Sequence, residues 1–196
     1  NMSLHARSTT LARLGAQILD YRDLPRPHVA LLIGRLPMAL IIDRIRAAAG
    51  SADLNVVAAD LTGVEPADVL WRIGTAIFEL IDPDAPVRPR DEHPALAFKR
   101  LFNAVVKMSD DDFVLIVGPV DDLEATPELT DNIYGALRAA VVEFERRVQV
   151  VFIVRNDIIR RNIFWLDRPT MEFASFLNLI GQRPASTPGK RDEPSA

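Results

Sequence analysis

The stretch HVALLIGRLPMALIIDRIRAAA, residues 28–49, constrains the fold of this chain more than any other part of the sequence. Its apolar run from Val29 to Ile33 is typical of a strand that is buried on both faces. A turn begins at Gly34, and a helical pattern follows from Met38 to Ala49. Strand, short loop and helix in this order are the layout of a phosphate-binding loop, and they predict an α/β domain built around this element.

Strand and helix patterns alternate along the rest of the chain. Further strands are predicted at Asn55–Ala59, Phe113–Val117 and Val148–Val154, and further helices at residues 66–81, Ala95–Met108 and Pro127–Arg147. Such alternation predicts βαβ crossovers, and therefore a three-layer αβα sandwich with a mostly parallel sheet.

The two ends of the chain are predicted from weaker patterns. A leucine stripe predicts an amphipathic helix at Ser3–Tyr21, and Thr170 is a candidate cap for a last helix that ends at Ile180. We therefore divide the chain into an N-terminal helix and linker (1–27), an α/β domain (28–181) and a disordered tail (182–196). Among single residues, we expect Leu80, Leu96 and Met108 in the core, and His28 in a loop.

Composition excludes several classes of function. The chain has no cysteine and three histidines without metal-ligand spacing, so no metal site is predicted. The net charge of −4 provides no global basic field for nucleic acid or anionic membranes. No apolar run reaches the roughly 18 residues that a membrane-spanning helix needs. We therefore expect no membrane association and a cytoplasmic location.

The predicted loop lacks the groups that would hold a nucleotide. A phosphate-binding loop has the pattern G-x-x-x-x-G-K-[ST], in which lysine neutralises phosphate and the hydroxyl binds Mg²⁺. The pattern starts correctly at Gly34. Ala39 then takes the place of the second glycine, Leu40 that of lysine and Ile41 that of serine or threonine.

With these elements in place, residues 29–180 resemble the AAA+ and STAND-type P-loop ATPases. The resemblance rests on order and spacing, and it implies a third strand that ends in an acidic pair for Mg²⁺ and water. In FVLIVGPVDDL, Gly118 and Pro119 fill those places, and Asp121 and Asp122 are displaced by three residues. After the fourth strand, Arg155 or Asn156 is similar in position to the polar sensor of the family. We expect no counterpart of the family's lid.

Loss of the lysine, the hydroxyl and both acids together predicts a degenerate P-loop domain. We expect no ATP or Mg²⁺ cofactor, no ATPase activity, and a role as a protein-interaction or regulatory module that binds a protein partner or further copies of itself. One alternative is a nucleotide sensor that binds through the backbone N–H groups of residues 34–39. Another is a nucleic-acid accessory factor.

A second resemblance leads to a different alternative. The segments GRL at residues 34–36 and VVAADLTGVEPAD at residues 56–68 are similar to STAS domains, which are regulatory. That family places Ser-Gly after the final aspartate. Here Asp68 is followed by Val69 and Leu70, so the phosphorylatable serine is missing.

Two clusters are candidate sites with plainer explanations. The segment RNDIIRRNIFWLDR could grip a partner or nucleic acid, although its aromatics would more often be core and its arginines a solvated rim; its candidates are Arg155, Arg160, Arg161, Trp165 and Arg168. Four aspartates fall near strand ends or on a helix, and we interpret them as surface groups rather than a metal cluster: Asp43, Asp60, Asp121 and Asp122.

Overall fold

Six parallel strands form one sheet in the computed structural model, which describes residues 7–50, 52–84, 92–121, 123, 127–144, 147–155 and 174–179. The strands are β1 (Arg7–Thr9), β2 (His28–Leu32), β3 (Leu54–Asp60), β4 (Asp112–Gly118), β5 (Val148–Val154) and β6 (Ala174–Leu179). Their order in the sheet is β1-β6-β2-β5-β4-β3. The predicted α/β fold with a parallel sheet is confirmed.

Helices cover both faces of the sheet. They are α1 (Leu14–Asp20), α2 (Met38–Ala49), α3 (Val69–Phe78), α4 (Pro94–Met108) and α5 (Pro127–Glu143), with short 3₁₀ turns at Tyr21–Asp23 and Pro66–Asp68. Helices α1 and α2 pack on one face in a single apolar cluster, and α3, α4 and α5 pack on the other. Every side chain of β5 is buried, because this strand lies inside the sheet with helices above and below it.

The N-terminal prediction was wrong in its first part. Residues 7–9 form a strand that pairs with β6, in the register Arg7 to Leu177 and Thr9 to Leu179, and the helix begins only at Leu14. Pairing with a strand 170 residues away in the sequence outweighs the local leucine pattern on which the longer helix was predicted.

The last predicted helix was also wrong. Residues 174–179 form β6, which pairs with both β1 and β2, while Thr170 and the tail lie outside the described residues. Phe176 belongs to the apolar cluster on one face of the sheet, and Leu177 and Leu179 belong to the cluster on the other. A short apolar run that is buried on both faces has no period that separates a strand from a helix.

Three predicted core residues are instead exposed. Leu80, Leu96 and Met108 are 42%, 62% and 73% exposed, respectively. In α4 the inward positions are taken by Phe98, Leu101, Phe102, Val105 and Val106. The buried face of this helix therefore includes Leu101 but excludes Leu96 and Met108.

A buried polar pair at the start of β2 and β5 was not anticipated. His28 is the first residue of β2, is buried, and its Nδ1 accepts a hydrogen bond from the Val150 N–H at 3.0 Å. Next to Val150, the Gln149 side chain is 1% exposed, and its Nε2 donates to the carbonyl oxygens of Ile18 at 2.8 Å and Pro27 at 2.7 Å. The expectation that His28 lies in a loop was therefore wrong. These bonds tie α1 and the linker after it to the centre of the sheet.

Arg147, which directly precedes β5, binds the end of α4 and the loop that leads from it to β4. Arg147 donates to the carbonyl oxygens of Ser109 at 2.6 Å, Asp111 at 2.9 Å and Val106 at 3.3 Å. Helix α5 ends before it, at Glu143. The side chain therefore closes the connection between α4 and β4 rather than the end of its own predicted helix.

Candidate nucleotide-binding site

The loop between β2 and α2 lies at the carboxyl edge of the sheet, where ligands bind in open α/β folds. Gly34 has a φ of +58°, a left-handed conformation that glycine adopts without steric cost. The Leu36 N–H donates to the Ile33 carbonyl oxygen at 3.3 Å, and Pro37 has no N–H and caps α2. The loop therefore keeps the strand–loop–helix layout, with one N–H group already bonded within it and one position that has none.

The residues at the other motif places lie in the first turn of α2. Ala39 is exposed, Leu40 is partly buried, and Ile41 is fully buried in the apolar cluster between α2 and the sheet. None of the three carries a charge or a hydroxyl. At the position where the resemblance places a Mg²⁺-binding hydroxyl, Ile41 instead contributes to the core.

The end of β4 is closed against the neighbouring strand. Gly118 and Pro119 are buried, and a Cβ atom built on Gly118 would lie 2.5 Å from the Cβ of Ile153 and 2.9 Å from its carbonyl oxygen. On either side of Gly118 the backbone is hydrogen-bonded, from the Leu61 N–H to the Gly118 oxygen at 2.8 Å and from the Val120 N–H to the Ile153 oxygen at 3.0 Å. With this backbone, no side chain of any kind fits at position 118.

The nearby acids hold loops in place. One carboxylate oxygen of Asp121 accepts the Arg155 N–H at 2.7 Å, which joins the loop after β4 to the end of β5. At the end of β3, Asp60 accepts the Thr62 N–H at 2.9 Å. Asp43 is exposed on α2, as interpreted, and Asp122 lies outside the described residues. Within the described ranges, no three His, Asp or Glu side chains form a group that could hold a metal ion.

The arginine-rich segment is described only at its first residue. Arg155 is partly buried directly after β5. Arg160, Arg161, Trp165 and Arg168 lie outside the described residues, so their predicted role stays a prediction. None of the helices in the described ranges is long and apolar enough to cross a membrane.

The topology defines an α/β fold with a six-stranded parallel sheet, which is consistent with a P-loop NTPase-like fold. The structure of the Orc1 protein of Aeropyrum pernix, determined in complex with DNA, superposes with a TM-score of 0.57 at 17% sequence identity. The match covers 87% of this chain and 44% of the Orc1 chain, so this chain spans less than half of that protein. No protein-family model and no curated protein sequence match the chain.

At this identity the comparison concerns the fold alone, and it agrees with the fold that the first resemblance implies. The packing of Gly118 against Ile153 could not have been anticipated, because the two residues are 35 positions apart in the sequence and meet only when β4 and β5 pair.

Proposed function

We propose that this chain is a non-catalytic, ATPase-like domain that acts as a protein-interaction or regulatory module. The observation that carries the proposal is the contact between Gly118 and Ile153. An ATPase of this fold needs a carboxylate at the end of the strand that corresponds to β4, where it positions Mg²⁺ and water. Here the corresponding backbone lies too close to β5 for even a methyl group.

Two further features support the same proposal. The first turn of α2 offers Leu40 and Ile41 where charge and a hydroxyl would be needed, and the preceding loop contains Pro37, which has no N–H. The displaced Asp121 already accepts a backbone N–H. Phosphate binding without the motif lysine or Mg²⁺ loses the charge-assisted contacts that dominate such sites.

Thermal unfolding in the presence of nucleotide tests the proposal. With about 5 mM Mg·ATP, Mg·ADP or Mg·GTP, we expect the Tm to change by less than about 2 °C. A ligand whose Kd exceeds that concentration adds at most about 0.4 kcal/mol, and 1 kcal/mol moves the Tm of a domain of this size by about 2–4 °C.

The variant Ala39→Glu provides the specificity control. It adds a carboxylate at an exposed position in the first turn of α2, where the helix dipole favours negative charge, and it would repel a bound phosphate. Arg46→Glu makes a charge change of the same sign at the far end of the helix. An increase of several degrees with nucleotide that Ala39→Glu removes and Arg46→Glu retains would overturn the proposal.

A nucleic-acid accessory role is the second candidate. It is favoured by the arginines from Arg155 onward and by the DNA complex of the structurally similar Orc1. If it holds, anisotropy of a fluorescent DNA duplex will show binding that weakens steeply with salt and falls in the double variant Arg160→Ala/Arg161→Ala. Binding with a flat salt dependence, or equal binding by that variant and by Arg44→Ala/Arg46→Ala on α2, would remove this candidate.

A further inference from the structure

A groove of about 330 Å³ runs along α1 at the edge of the sheet, away from the loop that follows β2. One side is contributed by Arg7 of β1, the first strand in the sheet order, and the rest by α1 and its flanking residues. The lining residues are Arg7, Ala12, Arg13, Ala16, Gln17, Asp20, Tyr21 and Leu24.

Helix α1 is held firmly on its other side. Leu14 and Ile18 are fully buried, and Gly15 lies so close to α2 that an added Cβ would be 2.5 Å from the Arg44 carbonyl oxygen. The helices therefore meet backbone to backbone. Helix α1 is a fixed ridge, with the groove running along its exposed side.

The ridge carries opposite charges at its two ends. Arg13 precedes the helix, Asp20 ends it, and both are exposed. Seven residues at 1.5 Å each place them roughly 10 Å apart along one side of the helix. The ion pairs formed between described residues lie elsewhere, at Asp112, Lys99 and Arg100. If a second copy of the helix is placed antiparallel to the first, the arginine of each copy lies opposite the aspartate of the other.

We propose that the groove is occupied by α1 of a second copy of this chain, in a two-fold symmetric dimer. The two helices lie antiparallel, each ridge in the groove of the other. Arg13 of each copy then faces Asp20 of the other, and the small side chain of Ala16 lies near the symmetry axis. Leu24, which is 42% exposed, is covered by the second copy. An isologous interface requires this kind of self-complementary patch.

The proposal deepens the interaction role proposed above and rests on it for its biological meaning. Eight lining residues from each copy make a small interface, so we expect a weak dimer with a Kd on the order of 10–100 µM. Because the charges lie at the rim of the interface, salt will weaken the dimer.

Sedimentation velocity with charge-reversal variants tests the proposal. We expect the wild-type chain to change from monomer to dimer as its concentration rises through the range given above at low salt. Arg13→Glu places Glu against Asp20 of the other copy, and Asp20→Lys places Lys against Arg13, so each variant alone will associate at least tenfold more weakly. An equimolar mixture of the two forms only attractive pairs and will restore the dimer, as will the double variant Arg13→Glu/Asp20→Lys.

Asp43→Lys and Arg46→Glu are matched controls, since they reverse charges on the exposed side of α2 outside the groove. Circular dichroism and Tm show that each variant is folded. A wild-type chain that stays monomeric at several hundred micromolar overturns the proposal, whatever segment or partner fills the groove instead. A dimer insensitive to both reversals, or one that mixing does not restore, also overturns it. The nucleotide titration is independent of assembly, so a monomer that ignores Mg·ATP contradicts the dimer but not the proposed function.

Discussion

Replacing Gly118 with alanine is expected to lower the free energy of unfolding by about 3 kcal/mol, the upper part of the range for overpacked core positions. The added methyl group would lie 2.5 Å from the Cβ of Ile153 and 2.9 Å from its carbonyl oxygen, and a backbone oxygen cannot rotate away. Gly118→Asp, which would supply the acid of the ATPase motif, also buries a charge and is expected to prevent folding. Urea unfolding of purified variants gives the measurement.

Gly135→Ala is the matched control for this prediction. Gly135 lies in α5, and an added Cβ meets nothing within 4 Å. Alanine there is expected to raise the free energy of unfolding by roughly 0.5–1 kcal/mol, because glycine is the poorer helix former. If Gly118→Ala unfolds at the same urea concentration as the wild type, the end of β4 can move away from β5. The steric argument against catalysis then fails.

Acid is expected to destabilise the fold through His28. Burial lowers the pKa of this side chain from 6.5 to about 4, because the charged imidazolium is poorly solvated inside the sheet. Protonation at Nδ1 would also remove the acceptor of the Val150 N–H. The folded chain therefore keeps His28 neutral at a pH where the unfolded chain has already taken up a proton.

Because the unfolded chain binds this proton at a higher pH than the folded chain, the free energy of unfolding falls as the pH falls. The contribution of His28 to stability is fully present above pH 6.5 and is lost as the pH falls toward 4, by about 3 kcal/mol in total. Urea unfolding between these two limits measures the loss. His28→Asn does not titrate but can place its side-chain oxygen near the position of Nδ1, so the difference between wild type and variant should shrink as the pH falls. A constant difference across the range would contradict the prediction.

Local patterns were sufficient to predict the centre of the fold. The runs that became β2, β4 and β5 are apolar enough to require burial on both faces wherever the chain places them, whereas β3 is an edge strand that is only partly buried. The helix from Met38 to Ala49 was predicted with its observed bounds. The strands β1 and β6 were missed because their pairing is non-local: Arg7–Thr9 has no strand period by itself and pairs only with residues 177–179, and β6 lies between β1 and β2.

Counting residues along the sequence could name candidate motif positions but not the contacts that those residues make. Leu40, Ile41 and Gly118 could be placed at motif positions by counting residues. That Ile41 belongs to the core and that Asp121 binds the Arg155 N–H depend on which elements pack together. The groove was missed for a related reason. The helix predicted from Ser3 to Tyr21 is too long, and it gave no indication that Arg13 and Asp20 lie at the two ends of a short helix.

The side-chain amide of Gln149 has a consequence for how this domain can be cut or fused. Its Nε2 bonds to the Ile18 and Pro27 carbonyl oxygens from inside a strand with no solvent access. A fragment that begins at β2 would lose both of these hydrogen bonds to the sheet, each of which contributes about 0.5–1.5 kcal/mol. Residues 18–27 and β5 therefore belong to one cooperative foldon. Any fusion protein or domain graft that uses this sheet must therefore include the segment before His28.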